Sequence, residues 1–366
     1  MRETSEQRAL RAAVRALIAA HQAQADGDDG LRLWRRLCAE IGVAGLAVPE
    51  HFGGAGAGPV EVSIVAEELG RALAGTPMLG SAVLATRALL ASGDERPCAD
   101  LLPALADGSA IAALAWTTPA GRWDPAEVAC QGTLAADGDW IIDGEAHYVL
   151  DGDVAKTLLV PAQTPAGMGL FAVQPAQPAV TRSACTTVDQ TRRLAVVRLA
   201  GAVGTRIGST GDAMLASTML SAARDAACIA LSAEQAGAAA RALEITVEYT
   251  KTRVQFGRPI GSFQALQHRM ADLHVLVQAA RSVAFAAAEA AAHAAPDVPV
   301  RAATAKAFCS EALQQVSAEM LQLHGAIAMT WEHDAHRYFK RAHGDAQLLG
   351  QPAEHVERIA AAVLDG

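Results

Sequence analysis

Apolar residues recur at the spacing of amphipathic helices through the first hundred positions of the chain. This pattern predicts helices over residues 6–24, 29–42, 59–73 and 80–107. The third helix follows a glycine-rich stretch, residues 53–58, through which a helix does not continue. We therefore expect an N-terminal α-helical domain over residues 1–108.

The helical period disappears between residues 109 and 205. Short apolar runs, such as Ile111–Trp116, Thr157–Val160 and Leu194–Leu199, are separated there by Asp-Gly, Gly-Asp and proline-containing turns. Runs of this length bounded by turn residues are typical of strands. The pattern predicts a small antiparallel β domain over residues 109–205.

The remainder of the chain returns to long, alanine-rich helical segments. The pattern predicts helices over residues 211–252, 262–294, about 300–323, 330–349 and 352–364. Antiparallel helices of this kind pack as a bundle, so residues 206–366 are predicted to form a C-terminal helical bundle domain. The fold class predicted for the whole chain is α+β, mainly α.

Composition and charge reduce the number of function classes that fit the chain. The chain has 366 residues, of which 51% are hydrophobic, and a net charge of −9, which does not favour nucleic-acid binding. We expect no membrane span, because no run of about 18 uninterrupted apolar residues occurs. The charged N-terminus lacks the apolar core of a signal peptide. The six cysteines lack metal-like spacing and are expected to be reduced, mostly buried thiols in a cytoplasmic protein.

Four sequence stretches resemble the acyl-CoA dehydrogenase superfamily. They are Gly45–Gly54 with Glu67–Gly70, Trp116–Pro119, Thr252–Gly261, and Gln322–Ala326. The third stretch is the most specific, and the helix–strand–helix order agrees with it. The resemblance covers essentially the whole chain. It implies a C-terminal four-helix bundle, FAD as the cofactor and an acyl-CoA as the substrate.

The side chains of the third stretch also suit a dinucleotide on chemical grounds. Arg253 offers a planar fork of donors for a diphosphate, Phe256 an apolar face, and Gln264 both a donor and an acceptor. The resemblance implies that these residues, with Gln322 and Gly325, bind the FAD of a neighbouring subunit. Family glycines near Gln322 are replaced by Ala326 and Ala328, which place methyl groups where backbone would approach a phosphate.

The part of the site that would bind the flavin ring departs from the family pattern. Thr117 matches a ring contact, but Leu150 stands where the family has a threonine that hydrogen-bonds near flavin N5. The usual Glu-Pro-Gly-Ala-Gly-Ser-Asp loop is replaced by Thr118–Asp124. The resemblance therefore implies a changed wall around the ring and the thioester.

The catalytic carboxylate of the family is missing. The family reaction needs a base to remove the α-proton of the acyl thioester, and gap-free counting places the two family base positions at Leu349 and Ala227. Neither side chain accepts a proton. Asp225 and Glu234 are the nearest candidates for a displaced base, but we expect them to be solvated or intersubunit charges instead.

Histidine and aromatic residues recur near the C-terminal end of the chain. His324, His333, His336 and His343 lie close together, but without metal-site spacing, so we expect ordinary helix-surface histidines and no bound metal. Trp331 and Tyr338 stand at helical spacing, which favours the core.

The leading hypothesis is a subunit of a heteromeric acyl-CoA dehydrogenase whose homologous partner supplies the base and the flavin-ring pocket. Heteromeric members of the family dehydrogenate bulky acyl-CoAs such as steroid side-chain thioesters, with electron-transfer flavoprotein as acceptor and tetramers as the usual assembly. Three alternatives stay open: a self-sufficient, homo-oligomeric FAD dehydrogenase with a displaced base, a flavin-free scaffold, and an oxygen-activating flavoprotein.

Overall fold

The structure is a computed structural model that describes residues 3–23, 30–208 and 214–364. Its α-helices are α1 (Ser5–Gln22), α2 (Gly30–Ile41), α3 (Pro59–Arg71), α4 (Thr86–Ala91), α5 (Glu95–Ala106), α6 (Leu215–Thr252), α7 (Gln264–Ala292), α8 (Val298–His324), α9 (Ala335–Gln347) and α10 (Pro352–Leu364). These bounds confirm most of the predicted helices to within a few residues. The predicted start of the long helix, residues 211–213, lies outside the described residues.

One predicted helix, residues 80–107, is divided. A π-helix covers Met78–Ala85, α4 follows it directly, and α5 begins only after a break. Gly93 adopts a positive φ of 62° in that break, and the side chain of Asp94 then caps α5 by accepting the N–H of Arg96 at 3.3 Å. The positive-φ glycine therefore ends the first helix, and the aspartate cap begins the next.

The described strands are β1 (Ala112–Leu114), β2 (Cys130–Leu134), β3 (Trp140–Leu150), β4 (Thr157–Thr164), β5 (Gly167–Val173), β6 (Val180–Ala184), β7 (Leu194–Ile207), β8 (Val254–Gln255) and β9 (Arg258–Pro259). In the large sheet the order is β1-β4-β2-β3-β7-β5, with β6 paired to β7. The predicted β domain is therefore present, but it is not purely antiparallel. Strand β4 runs parallel to both β1 and β2.

The chain divides into two compact units. One contains residues 21–58 and 75–227, including the large sheet, and the other contains residues 1–20, 59–74 and 228–366. The division into three domains at residues 108 and 205 stays a prediction.

The sheet unit has its core on the inward-facing positions of the strands. Ile142, Leu158, Val160, Phe171 and Val197 are all fully buried there. They come from β3, β4, β5 and β7, so the apolar runs seen in the sequence meet in one cluster.

The helical unit packs α3 very closely against α6. A Cβ atom built on Gly70 would lie 1.9 Å from the carbonyl oxygen of Glu234, and one built on Gly237 would lie 2.0 Å from that of Glu67. Only glycine permits this backbone approach. Glu68 is buried beside Arg11 and Arg15, and although burial alone would raise its pKa, hydrogen bonds from the two guanidinium groups lower the pKa overall.

Helix α7 is, among the described helices, the one long and apolar enough by length and composition to cross a membrane. It packs against α8 and α3 within the helical unit. An apolar helix in the core of a globular protein has the same composition.

Candidate functional site

Arg253 is the first residue beyond α6. Its N–H donates to the carbonyl oxygen of Tyr249 at 2.9 Å, and its carbonyl oxygen accepts the N–H of Ile260 at 2.8 Å. The first bond continues the α6 pattern, and the second closes the base of the β8–β9 hairpin, whose tip is Phe256 and Gly257 at φ values of 55° and 77°. Phe256 is 92% exposed, so the turn presents an aromatic face to solvent.

The hairpin leads directly into α7, whose first residue is Gln264. The guanidinium carbon of Arg258 lies 4.0 Å above the ring centroid of Phe263, and the rings of Phe256 and Phe263 meet edge to face at 6.1 Å. These contacts fix the hairpin against the start of α7. Gln264 is exposed beside them.

Gln322 and Gly325 lie at the C-terminal end of α8, where Gly325 has a φ of 67°. The hydroxyl of Tyr249 donates to the carbonyl oxygen of His324 at 3.2 Å. Because Tyr249 is one turn before Arg253, this bond brings the end of α6 to the end of α8. The fold thus brings together the elements that carry Arg253, Gln322 and Gly325. We call the set Arg253, Phe256, Gln264, Gln322 and Gly325 the clamp.

The polar side chains of the clamp are available to a ligand. Arg253, Gln264 and Gln322 are exposed, and their side chains make no hydrogen bond or ion pair with any residue that the structure describes. Next to Gln322, His324 is 4% exposed, and its buried Nε2 has no hydrogen-bond partner within the described part of the chain. Unused donors around an orphaned buried acceptor fit a polar ligand such as a dinucleotide diphosphate.

The two alanines that replace family glycines differ in position. Ala326 is exposed, whereas Ala328 is fully buried in the apolar cluster of the helical unit, together with residues such as Leu313 and Tyr338. The methyl group of Ala328 therefore fills the core and does not stand in the way of a ligand at the surface. Its predicted interference with a phosphate is wrong.

The turn at Leu349 is held by buried polar groups although its own side chain is apolar. Leu349 is 1% exposed and adopts a φ of 61°, which is strained for a leucine. Lys306 Nζ donates to the carbonyl oxygens of Gly350 at 3.0 Å and Ala346 at 3.4 Å, and His355 Nε2 donates to that of Leu349 at 3.0 Å. Burial lowers the pKa of Lys306. The turn is strongly fixed, and the side chain of Leu349 itself accepts no proton.

The other candidate base positions are equally unsuited. Ala227 is fully buried, and Asp225, 6% exposed, lies 3.8 Å from Arg224 Nε. Glu234 is buried in a direct ion pair with Arg341. Of the two roles expected for Asp225 and Glu234, the solvated one is wrong, because both are buried and lie beside an arginine, and the intersubunit one stays a prediction.

Thr117 lies in the sheet unit next to β3. Its hydroxyl donates to the carbonyl oxygen of His147, whose N–H returns a bond to the carbonyl oxygen of Thr117 at 2.8 Å. Leu150, two residues past the exposed Tyr148, is 2% exposed and offers only methyl groups. The assignment of Thr117 to a flavin contact stays a prediction, and its hydroxyl proton is already used.

The loop Thr118–Asp124 folds back on the start of the β domain. Trp116 Nε1 donates to the carbonyl oxygens of Glu127 at 3.0 Å and Asp124 at 3.3 Å, and its ring meets that of Trp123 edge to face at 5.6 Å. The replaced loop is thus closed by two indoles in place of a Gly-Ser-rich segment.

Sequence reasoning missed Asp151. This residue is 4% exposed with a φ of 56°, and burial raises the pKa of its carboxyl from 3.8 to about 7. A Cβ atom built on Gly80 would lie 2.6 Å from Asp151 Oδ2, so the carboxyl packs against the backbone of the π-helix. The sequence signalled only an Asp-Gly turn, which is normally solvated.

The histidine cluster is not the ordinary surface that the sequence predicts. His324 and His336 are buried, and burial lowers the pKa of both. Trp331, predicted to lie in the core, is 74% exposed with Lys340 Nζ 4.6 Å from its ring centroid, while Tyr338 is buried as expected. No group of metal-ligating side chains is found among the described residues.

Known proteins match this chain along its length. The model of the acyl-CoA dehydrogenase N-terminal domain matches residues 4–109, and that of the C-terminal domain matches residues 216–364. Acyl-CoA dehydrogenase IpdE2 of Mycobacterium tuberculosis is 43% identical over 367 residues, with 98% of each chain covered. The chain therefore belongs to the acyl-CoA dehydrogenase family, whose members are FAD-dependent oxidoreductases.

Solved structures agree with this assignment. A chain of the ChsE4–ChsE5 complex from Mycobacterium tuberculosis is 29% identical, with a TM-score of 0.87 over 100% of this chain and 99% of its own. A variant of the Tcur3481–Tcur3483 steroid ACAD is 30% identical, with a TM-score of 0.86 over 99% and 98%. Butyryl-CoA dehydrogenase from Megasphaera elsdenii, at 22% identity and a TM-score of 0.90 over 100% and 99%, shares the fold. The predicted fold class is confirmed.

Proposed function

We propose that this chain is one subunit of a heteromeric acyl-CoA dehydrogenase that catalyses α,β-dehydrogenation of an acyl-CoA thioester. A homologous subunit supplies the catalytic base and the flavin-ring pocket. This chain supplies the clamp to that subunit's FAD.

The observation that carries the proposal is the difference between the two halves of the site. The clamp is exposed and its polar side chains are unused, whereas both base positions, Leu349 and Ala227, are buried and apolar. Asp225 and Glu234 both lie beside arginines, with which their carboxyl groups interact. A chain that has a cofactor clamp but no catalytic base contributes to catalysis when another chain supplies the base.

The similarity to the ChsE4–ChsE5 complex and to the Tcur3481–Tcur3483 steroid ACAD supports an assembly of two homologous chains. The second name also supports a bulky steroid-derived acyl group as the substrate class. We further propose a tetramer in the cytoplasm, with electron-transfer flavoprotein as the acceptor.

The chemistry divides between the chains accordingly. Bound FAD would supply the hydride acceptor for the β-hydrogen of the thioester, and the base of the partner subunit would take the α-proton. Arg253 would donate to the diphosphate, Gln264 and Gln322 would hydrogen-bond the adenosine half, and Phe256 would shield that half from water. These residues bind and orient the cofactor, and they do not touch the reacting carbon atoms.

The first experiment compares this chain purified alone with the chain co-expressed with a homologue encoded beside it. We expect a stable complex that contains FAD and dehydrogenates an acyl-CoA, and a chain that alone is inactive. Full dehydrogenation by the isolated chain would refute the proposal. A complex without flavin would instead favour a scaffold.

Arg253→Ala tests the clamp directly. Loss of a charge-assisted contact to a diphosphate costs about 1.5–3 kcal/mol, so FAD affinity of the complex is expected to fall about 10- to 100-fold. Arg301→Ala is the matched control, because Arg301 is an exposed α8 arginine that pairs with Asp297 near the other end of the helix. Equal FAD affinity in the two variants would contradict the role of Arg253.

A further inference from the structure

A stacked pair of rings joins the two helix ends that carry the clamp. The rings of Tyr249, on α6, and His324, the last residue of α8, lie 4.3 Å apart with an angle of 25° between their planes. The Tyr249 hydroxyl donates to the carbonyl oxygen of His324 at 3.2 Å. The pair therefore combines an aromatic contact with a hydrogen bond across two separate helices.

Each member of the pair is tied to clamp residues through the backbone. The carbonyl oxygen of Tyr249 accepts the N–H of Arg253 at 2.9 Å, so the two residues are one helical turn apart. His324 stands between Gln322 and Gly325, and its backbone carbonyl, which accepts the Tyr249 hydroxyl, immediately precedes Gly325. A movement of either ring would change the separation of Arg253 from Gln322 and Gly325.

The imidazole of His324 is held in one orientation. Its Nδ1 lies 2.7 Å from the carbonyl oxygen of Met320, and because a carbonyl only accepts, Nδ1 carries the proton. His333 packs on it as well, with ring centroids 4.4 Å apart. Burial lowers the pKa of His324 although the hydrogen bond to Met320 opposes this shift, and Nε2 has no hydrogen-bond partner among the residues that the structure describes.

We propose that Tyr249 and His324 are positioning residues of the clamp, which set the distance between Arg253 and the Gln322–Gly325 stretch so that both reach one dinucleotide. This inference rests on the proposed function, since the clamp is defined by its role toward FAD. The pair acts through Arg253, Gln322 and Gly325 and contributes preorganisation, so that less order is lost when the dinucleotide binds.

The test measures FAD affinity in whichever assembly of the full chain retains FAD. The flavin is removed and FAD is added back, with flavin fluorescence as the readout. Tyr249→Phe keeps the stack and loses one hydrogen bond, so we expect about fivefold weaker binding. Tyr249→Leu loses both contacts, and we expect binding to weaken about tenfold or more.

His324→Phe keeps an aromatic ring and loses both ring nitrogens, and we expect about fivefold weaker binding of FAD. His343→Phe is the matched control, because His343 Nδ1 makes the same bond to the carbonyl four residues earlier, at 2.9 Å from Phe339, but is exposed and lies outside the clamp. The control is expected to bind FAD within about twofold of the unmodified chain.

Two readouts separate positioning from a merely structural role. Variants at Tyr249 and His324 are expected to change FAD affinity while the KM for the acyl-CoA stays unchanged. If Tyr249→Phe binds FAD more tightly than Tyr249→Leu, the stacked ring is responsible for that difference in FAD affinity. The melting temperature of each flavin-free variant checks that it folds, and Tyr249→Phe keeps the test valid where the leucine variant does not fold.

The outcomes also distinguish this inference from the proposed function. If Arg253→Ala weakens FAD binding but Tyr249→Leu and His324→Phe bind it as the unmodified chain does, the positioning role is refuted and the clamp stands. If Arg253→Ala leaves FAD affinity unchanged as well, or no assembly of the chain retains FAD, the proposed function and this inference both fail.

Discussion

Asp151 provides a sharp test of how burial controls stability in the sheet unit. Its carboxyl packs against the π-helix backbone, and burial raises its pKa to about 7 against an ordinary value of 3.8. Arg192 and Arg193 partly offset this increase, and Asp153 adds to it. In the unfolded chain the carboxyl ionises near its ordinary pKa, so the folded state binds the proton more tightly.

The sign and size of the effect follow from linkage. Below the pKa of the unfolded state, the carboxyl is protonated in both the folded and the unfolded chain, so Asp151 does not lower the folding stability. As the pH rises from about 4 to about 7 the unfolded state loses its proton first, so folding stability falls. At 1.36 kcal/mol per pH unit, the penalty is about 2 kcal/mol at pH 5 and about 4 kcal/mol at pH 8.

Asp151→Asn removes the charge with little change in shape. We expect this variant to be more stable than the unmodified chain, by an amount that grows by about 2–3 kcal/mol between pH 5 and pH 8. The assay is urea unfolding followed by tryptophan fluorescence, to which the buried Trp116 and Trp123 of the same unit contribute. Asp139→Asn, at an exposed carboxylate in the turn before β3, is the control and should follow the unmodified chain. A stability difference that is independent of pH, or a variant less stable at pH 8, would refute the reasoning.

Three further predictions concern the helical unit. Gly70→Ala places a methyl group against the Glu234 carbonyl oxygen, and the resulting separation of α3 from α6 should lower the free energy of unfolding by about 1–3 kcal/mol in urea titrations. Arg341→Met leaves the Glu234 carboxylate buried without this partner and should cost about 3–5 kcal/mol, much of which Glu234→Gln in the same chain should restore. Lys306→Met removes the donor to the Gly350 carbonyl, so amide exchange in the turn beside it should accelerate, while exchange in the large sheet stays unchanged.

Much of the fold could be predicted because it depends on local patterns. The bounds of α10 were predicted to the residue, since Pro352 begins it and its apolar spacing is regular. The parallel pairing of β4 with β1 and β2 was not predicted from the sequence. Strand direction within a sheet is set by connections and non-local packing, which a run of apolar residues does not encode.

For the site, the sequence alone determined the residue types: an arginine, a phenylalanine and two glutamines able to hold a dinucleotide, and no carboxylate at Leu349 or Ala227. Only the tertiary structure decided which of these groups are accessible or occupied. It shows that Glu234 is paired with Arg341, that Asp151 is desolvated, and that Tyr249 reaches His324 across two helices. The physical reason is that burial and pairing depend on residues far apart in sequence, and those distances exist only once the chain is folded.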